Sequence, residues 1–595
     1  MTRTRRINTV PLAGACVLSV TTLAGAVLPP VPVPLANPIT EPKRILGKIL
    51  FWDEQLSVDG TMACASCHSF NRGGTDNRRV RTAGPDGIAN TPDDIFGSPG
   101  VIKSDSFKDF VRDVTFGTNK QVTGRASVSP INAAFATDLF WDGRARSTFT
   151  DPETGLVSIQ VNGALESQIV GPILNSVEMS HVGASWAEVE TRLASVRPLA
   201  LATNLPTDLA GVLASRPGYP ELFLGAFGSG QITADRIAKA IATYERTLIS
   251  DQTPFDLGTL TPNQQLGLNR MVANNCTVCH VPPLFTGEGF RNIGLRPPAE
   301  DTGRQIVTGN AADRGKFKVP SLRNVALQTS FMHNGTFTTL QQVFGFYDRA
   351  PGTTQFTDNQ DPIMAQVRIP PPDGAVVQDF LTNGLVDPRV RNETFPFDHP
   401  TLFSARAADQ PVNLGGGIAG TGAILPLIIA ISPPMIGNTD FRIGLDRALG
   451  GAATRLTLSN SPPVNGMITP TQTMTTKLAG GTGAGNGLAT EHLSLTGPGY
   501  VSGQTMFAQW VVDDPAGAGG QSFSTVVSFR LFCGSEGCQP LCAADMDNNG
   551  VLGVSDIFAF ISAWFATDPR TDFDHSGSIE VQDIFAFLAA WFTGC

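Results

Sequence analysis

The sequence predicts a multidomain chain. A short leader precedes a long front part organised around two attachment pentapeptides. An all-β sandwich-like region follows, and a small helical module of duplicated loop-and-helix units ends the chain. Three observations predict this. Cys64-Ala65-Ser66-Cys67-His68 and Cys276-Thr277-Val278-Cys279-His280 both read C-x-x-C-H. After about residue 405 charges thin out, and short apolar runs alternate with Gly- and Pro-rich turns. The last fifty residues repeat one pattern at a spacing of 27. With 595 residues the chain is too long for one core.

The C-x-x-C-H pentapeptide is the attachment signature of a c-type haem: two thiols add to the haem vinyl groups, and the adjacent histidine reaches the iron. A single copy also suits part of a zinc site or a redox disulfide. Two copies, with no further C-x-x-C or H-x-x-x-H to complete a zinc tetrad, point to two haems. The cofactor residues are then Cys64, Cys67, His68, Cys276, Cys279 and His280, with His68 and His280 as iron ligands.

The first 36 residues read as a signal peptide. Arg3, Arg5 and Arg6 precede an apolar run from Pro11 to Leu28 and the prolines of Pro29-Pro30-Val31-Pro32. Those prolines favour cleavage over a membrane anchor. Cys16 stands one residue out of register for a lipoprotein box. Export to the periplasm or cell surface agrees with extracytoplasmic haem attachment. The net charge of −10 argues against nucleic acid or an anionic membrane as partner.

Within the front part, Ile45-Leu46-Gly47-Lys48-Ile49-Leu50 has helical spacing and leads to the first pentapeptide. Asn71–Asn119 is polar and Gly-rich and reads as a solvated loop, with Asp86, Asp93 and Asp94 as turn residues or a weak calcium loop. Next come Arg125-Ala126-Ser127-Val128-Ser129-Pro130-Ile131-Asn132, Phe140-Trp141-Asp142-Gly143-Arg144-Ala145, Gln168, Gly171-Pro172 and Glu178-Met179. After the second pentapeptide stand Phe317-Lys318-Val319-Pro320-Ser321-Leu322-Arg323-Asn324, Phe331-Met332-His333-Asn334-Gly335 and Leu340 through Tyr347.

In this order, around two haem motifs, residues 41–402 resemble the bacterial di-haem cytochrome c peroxidase and MauG family. The resemblance implies two mainly α cytochrome c-type domains, 41–250 carrying a peroxide-reacting haem and 251–404 carrying an electron-transfer haem. It implies that Trp141 stands between the haems and that Gln168 and Glu178 form the distal pair. Peroxide cleavage needs a base that takes a proton and returns it to the leaving oxygen, and a carboxylate can do this. Taken singly, Trp141 reads as a buried core aromatic and Glu178 as a helix-surface charge. Tyr347 matches the place where peroxidases carry methionine and MauG carries tyrosine. As a second-haem ligand, phenolate would favour the higher oxidation states. Met332 and Met364 are the alternative ligands.

The sequence departs from the family in three places. Extra residues around Asp151-Pro152-Glu153 read as a surface loop. No histidine occurs between Ser69 and Asn132, where typical peroxidases carry the one that caps the first iron. His181 could approach that iron, but a surface role is expected. Ala126 replaces the asparagine of an inter-haem calcium site, leaving carbonyls near Val319 and Pro320.

Residues 405–532 offer no catalytic constellation and read as a spacer or adhesion module. In residues 540–595, one loop offers Asp545, Asp547, Asn549, the Val551 carbonyl and Asp556, and the other Asp572, Asp574, Ser576, the Ser578 carbonyl and Asp583. These are EF-hand-type calcium ligand patterns. The pair resembles a type I dockerin, which implies a cohesin-like or cell-surface partner. Its helices carry Ile557, Phe558, Phe560 and Trp564, then Ile584, Phe585, Phe587 and Trp591, read as mostly core. Of the three pairings open to Cys533, Cys538, Cys542 and Cys595, Cys533–Cys538 with Cys542–Cys595 is the expected one.

The function expected is an exported di-haem cytochrome c peroxidase that reduces hydrogen peroxide with electrons from a small cytochrome or cupredoxin. The alternatives are MauG-like oxidation of a protein or other large substrate, and a surface-held electron carrier without peroxide chemistry.

Overall fold

The structure is a computed structural model. It describes residues 27–595 apart from 288, 351, 352, 354, 498, 536, 538–543, 547–551, 575, 577 and 595. Leader residues 1–26 lie outside this set, as do Cys538, Cys542, Cys595 and the first-loop positions Asp547, Asn549 and Val551. Among the described residues no helix is long and apolar enough to cross a membrane.

The first helical core gathers around the helix Glu41–Trp52, in which every residue from Lys43 to Trp52 is buried. Pro42 in its first turn removes an N–H that would have no helical partner. This helix crosses Ala234–Glu245 at Gly47, where a Cβ would sit 1.9 Å from the Ala240 carbonyl oxygen. Helices Ala164–Leu174 and Trp186–Ser195 complete the layer. Inside it the Arg246 guanidinium and the Glu166 carboxylate form a fully buried bidentate pair at 2.8 Å. Such a geometry offsets desolvation only because both oxygens are engaged.

The second core contains Phe255, Leu268, Met271, Phe285, Phe380 and Leu385. Its helices Pro262–Ala273 and Leu340–Asp348 both start from capping boxes, Thr261 with Gln264 and Thr339 with Gln342. Arg323 ties it together, bonding Asp256 and the carbonyls of Ser250 and Pro283. The chain then returns, and Val390, Phe397 and Leu402 pack into the first core.

The polar stretch expected as a solvated loop is more ordered than that. Val80–Thr82 pairs with Ile95–Gly97, and Pro99–Ile102 pairs with Lys120–Val122. Val101, Ile102 and Phe110 are buried. Asp93 and Asp94 accept the Asp86 and Asn90 amides at 3.0 and 2.9 Å, so they hold turns. The extra residues around Glu153 form a small hairpin, Phe149–Thr150 with Val157–Ile159. Glu153 accepts the Ala234 amide at 2.8 Å, at the start of the helix Ala234–Glu245.

The C-terminal β-rich region is a sandwich of antiparallel sheets, one of seven strands and one of three. Its buried centre holds Phe441, Ile443, Leu445, Leu456, Leu458, Trp510 and Phe529. Period-two alternation puts Leu456 and Leu458 on the inner face, with Leu456 opposite Trp510. The Trp510 indole donates across the sandwich to the Gly444 carbonyl at 3.1 Å.

Two helices, Val554–Phe565 and Val581–Thr593, end the chain as near-copies. The Phe560 and Phe587 rings stack with centroids 4.1 Å apart. The Trp564 indole donates to the Glu580 carbonyl, and the Trp591 indole donates to that of Gly553. These exchanged bonds express the 27-residue repeat as a local two-fold. The expectation that the helix aromatics are mostly core is corrected for Phe558 and Phe585, which are 70% and 67% exposed. Cys533 is disulfide-bonded, and the rest of the expected pairing falls outside the described residues.

Candidate active site

The first pentapeptide forms a single helical turn, Cys64–Cys67, packed beneath the helix Glu41–Trp52. Neither thiol is in a disulfide. Burial pushes both thiols up, Cys67 to about 12, as an apolar crevice would. The His68 Nδ1 is 3.2 Å from the Gly74 carbonyl oxygen. That bond fixes the ring and leaves Nε2 as the metal-facing nitrogen, the usual arrangement of a ligating imidazole.

The second pentapeptide repeats the geometry. The His280 Nδ1 lies 3.2 Å from the Phe285 carbonyl oxygen and 3.1 Å from that of Pro320. Cys276 and Cys279 are likewise not disulfide-bonded, and burial pushes the Cys276 thiol to about 12. Both thiols and His280 line a large, mainly apolar cavity together with Tyr347, Met332 and Met364. The four thiols outside any disulfide and the two anchored imidazoles fit two covalently held haems, and the apolar cavity fits the one at Cys276, Cys279 and His280. Tyr347 faces the cavity from the helix Leu340–Asp348, and burial, reinforced by Cys276 and Cys279, raises its phenol well above the ordinary range.

Trp141 lines the same cavity but comes from the first half of the chain. Its indole donates to the Ala126 carbonyl at 2.8 Å, and its own carbonyl accepts the Lys318 amide at 2.8 Å. It therefore stitches the two halves together. The His333 ring stacks on Phe317 at 3.6 Å and meets Trp141 edge-on at 6.4 Å.

Glu178 sits near the first pentapeptide, close enough that its charge raises both the Cys64 and Cys67 thiols. Desolvation raises its own pKa, with Arg144 acting the other way. Gln168 is half-buried on the helix Ala164–Leu174, ten residues before Glu178 in the chain. The turn that carries Glu178 is built by Asn175, whose carbonyl accepts the amides of Glu178, Met179 and Ser180 at 3.2, 3.0 and 2.9 Å. The Asn175 side chain accepts from Val177 at 2.8 Å. From outside, Val101 donates to Val177 at 3.1 Å, Val58 donates to Met179 at 2.8 Å, and Gln121 donates to Ser176 at 2.6 Å. Sequence reasoning missed Asn175 and Gln121. Asn175 carried a signal, an Asx residue directly after a Pro-containing helix end; Gln121 carried none.

His181 is a correction. It is 2% exposed rather than on the surface. Its Nε2 lies 2.6 Å from a Glu188 carboxylate oxygen and its Nδ1 3.0 Å from the Val182 carbonyl oxygen. Both ring nitrogens are engaged, so it is not a ligand in this conformation. The carbonyls proposed for inter-haem calcium are also engaged. The Val319 carbonyl accepts from the Thr286 hydroxyl, and the Pro320 carbonyl oxygen lies 3.1 Å from the His280 Nδ1.

A family model described as di-haem cytochrome c peroxidase matches residues 41–265. Cytochrome c551 peroxidase of Nitrosomonas europaea is 29% identical over 339 residues, 55% of this chain and 79% of that one. Methylamine utilization protein MauG of Methylorubrum extorquens is 30% identical over 327 residues, covering 53% of this chain and 71% of the relative. This chain belongs to the di-haem cytochrome c peroxidase and MauG family. It is a haem peroxidase-type oxidoreductase with two c-type haems, and its β-rich C-terminal region lies beyond the matched segment. A further MauG, from Methylophilus methylotrophus, is 28% identical over 328 residues, with 53% and 75% of the two chains covered. Within this di-haem family member, the two pentapeptides occupy separate helical cores joined through Trp141 and the Lys318 amide.

Proposed function

We propose that this di-haem protein is an exported peroxidase that reduces hydrogen peroxide to two waters, drawing two electrons from a small cytochrome or cupredoxin and two protons from solvent. The observation that carries the proposal is the half-buried Glu178 carboxylate, held on a turn that Val58 and Val101 grip and near enough to the first pentapeptide for its charge to act on Cys64 and Cys67, in a stretch whose nearest histidine, His181, is fully engaged. Each haem, when bound, supplies an iron that exchanges electrons. Glu178 takes a proton from the incoming peroxide and returns it to the departing oxygen, while the Gln168 amide hydrogen-bonds the substrate. His68 and His280 would hold the two irons, each ring fixed by a carbonyl at its Nδ1. Trp141 provides an aromatic path between the halves.

The experiment mixes the oxidised holoprotein with equimolar hydrogen peroxide and follows the haem spectrum, then adds reduced cytochrome c. A rapid spectral change followed by oxidation of about two equivalents of donor is the expected result. An inert spectrum would leave only an electron carrier. A second reading, MauG-like oxidation of a large substrate, is favoured by Tyr347 facing the cavity at the second pentapeptide; it predicts a rapid spectral change without donor turnover.

The chain is further proposed to comprise a leader (1–36), two cytochrome c-type domains, the β sandwich and a dockerin-like calcium module (540–595). Supporting the module, carboxylate oxygens of Asp572, Asp574 and Asp583 lie within 4.8 Å of one another. The exposed Phe558 and Phe585 suit a cohesin-like or cell-surface partner. Chelation by EDTA is expected to lower the melting temperature of this module and calcium to restore it; a melt indifferent to both would remove the calcium sites.

A further inference from the structure

The β sandwich is not merely strung behind the haem domains. Its inner strand Phe441–Gly450 lies against the segment Lys103–Thr118 of the first haem domain. Phe110, 3% exposed, packs on Gly444, and its amide donates to the Thr490 hydroxyl at 2.9 Å. Around that contact Arg112 and Thr118 both bond Asp446, and the His492 ring bridges Asp440 and Asp109 at 2.6 and 2.9 Å.

At the centre is Arg442, 1% exposed. Its guanidinium stands 5.6 Å from the Phe110 ring centroid. One terminal nitrogen donates to the Lys108 carbonyl at 3.0 Å, and the other to the Val58 carbonyl at 2.8 Å. A buried guanidinium is costly to desolvate, and here its terminal nitrogens are spent on two main-chain carbonyls of another domain. Those carbonyls belong to the segments that fix the Glu178 turn. The Val58 amide donates to Met179, and Ser104 accepts the Val182 amide at 3.0 Å.

We propose that the β sandwich is a working part of the peroxide site, with Arg442 as a positioning residue that fixes the Val177–Val182 main chain, and so the Glu178 carboxylate, through Val58 and the 104–110 loop. This rests on the proposed role of Glu178. Misplacing a reacting group by about 1 Å can cost on the order of 100-fold in rate, so a partial loosening is expected to cost about 10-fold.

The test compares full-length holoprotein with Arg442→Gln, Phe110→Ala and Glu178→Gln. In Arg442→Gln the amides of Val58 and Val182 are expected to exchange hydrogen about 10-fold faster, while strand Ala453–Ser459 stays protected. The kcat/KM for peroxide falls about 10-fold, and KM for reduced cytochrome c is unchanged. Phe110→Ala loosens the same contact from the haem-domain side and is expected to act alike, so the idea stays testable if Arg442→Gln does not fold. Wild-type exchange at both amides, or faster exchange with unchanged peroxide kinetics, overturns the inference. Full turnover in Glu178→Gln would defeat the underlying reading and this inference with it. Lost turnover in Glu178→Gln beside wild-type behaviour of the other variants would defeat this inference alone.

Discussion

Glu178→Gln is expected to lower peroxide turnover by about 10²- to 10⁴-fold, the usual worth of a positioned acid–base group. The substitution preserves shape and removes the base. Both haems should remain attached, because Cys64, Cys67 and His68 are held by Ser66, Gly74 and their own helical turn, not by Glu178. The pH dependence follows from burial. Desolvation raises the Glu178 pKa above the ordinary carboxylate range. The base form is therefore lost as pH falls through that raised value, and the acid limb of kcat/KM should lie above the range of an exposed glutamate. In Glu178→Gln that limb should disappear. Turnover within a few-fold of wild type, with the limb intact, would assign proton transfer to another group.

Tyr347→Phe is expected to change the absorption and paramagnetic resonance of the second haem alone and to raise its midpoint potential by on the order of 100 mV or more. Axial ligands move haem potentials over about 0.8 V. Loss of an anionic oxygen ligand destabilises the oxidised forms. Tyr347, Met332 and Met364 line one cavity with His280, so all three must be compared. Met332→Leu and Met364→Leu should leave the second haem's spectrum as it is. A spectrum untouched in Tyr347→Phe but altered in either methionine variant would move the ligand to sulfur, and with it the preference towards accepting electrons from a high-potential donor.

Much of this site was legible in the residues. The two C-x-x-C-H pentapeptides name their own chemistry, because covalent attachment needs both thiols and the histidine within one turn. Capping at Thr261 and Thr339 and the Pro42 helix start are local effects, readable from three or four neighbouring side chains. The short apolar runs between Gly- and Pro-rich turns, Thr454 to Leu458 among them, are equally local and announced the β-rich region, where Ala453–Ser459 is a strand. Other features were out of reach. His181 reads as a surface residue because its burying neighbours and Glu188 act through the fold rather than through hydrophobic periodicity. Phe558 and Phe585 read as core because helical spacing gives the stripe but not which side is covered. Phe110 sits in a polar stretch and is buried only because a region more than 300 residues later lies on it.

The sequence by itself determined the two C-x-x-C-H pentapeptides, the β character of the region after residue 405 and the twofold repeat at the end, since each is written in spacing over a few residues. Only the tertiary structure decided that Val58 grips the turn carrying Glu178, that Trp141 and Tyr347 share a cavity with His280, and that Arg442 grips Val58. Those juxtapositions join residues far apart along the chain. Their physical basis is packing and desolvation, which belong to the assembled cores and to no single segment.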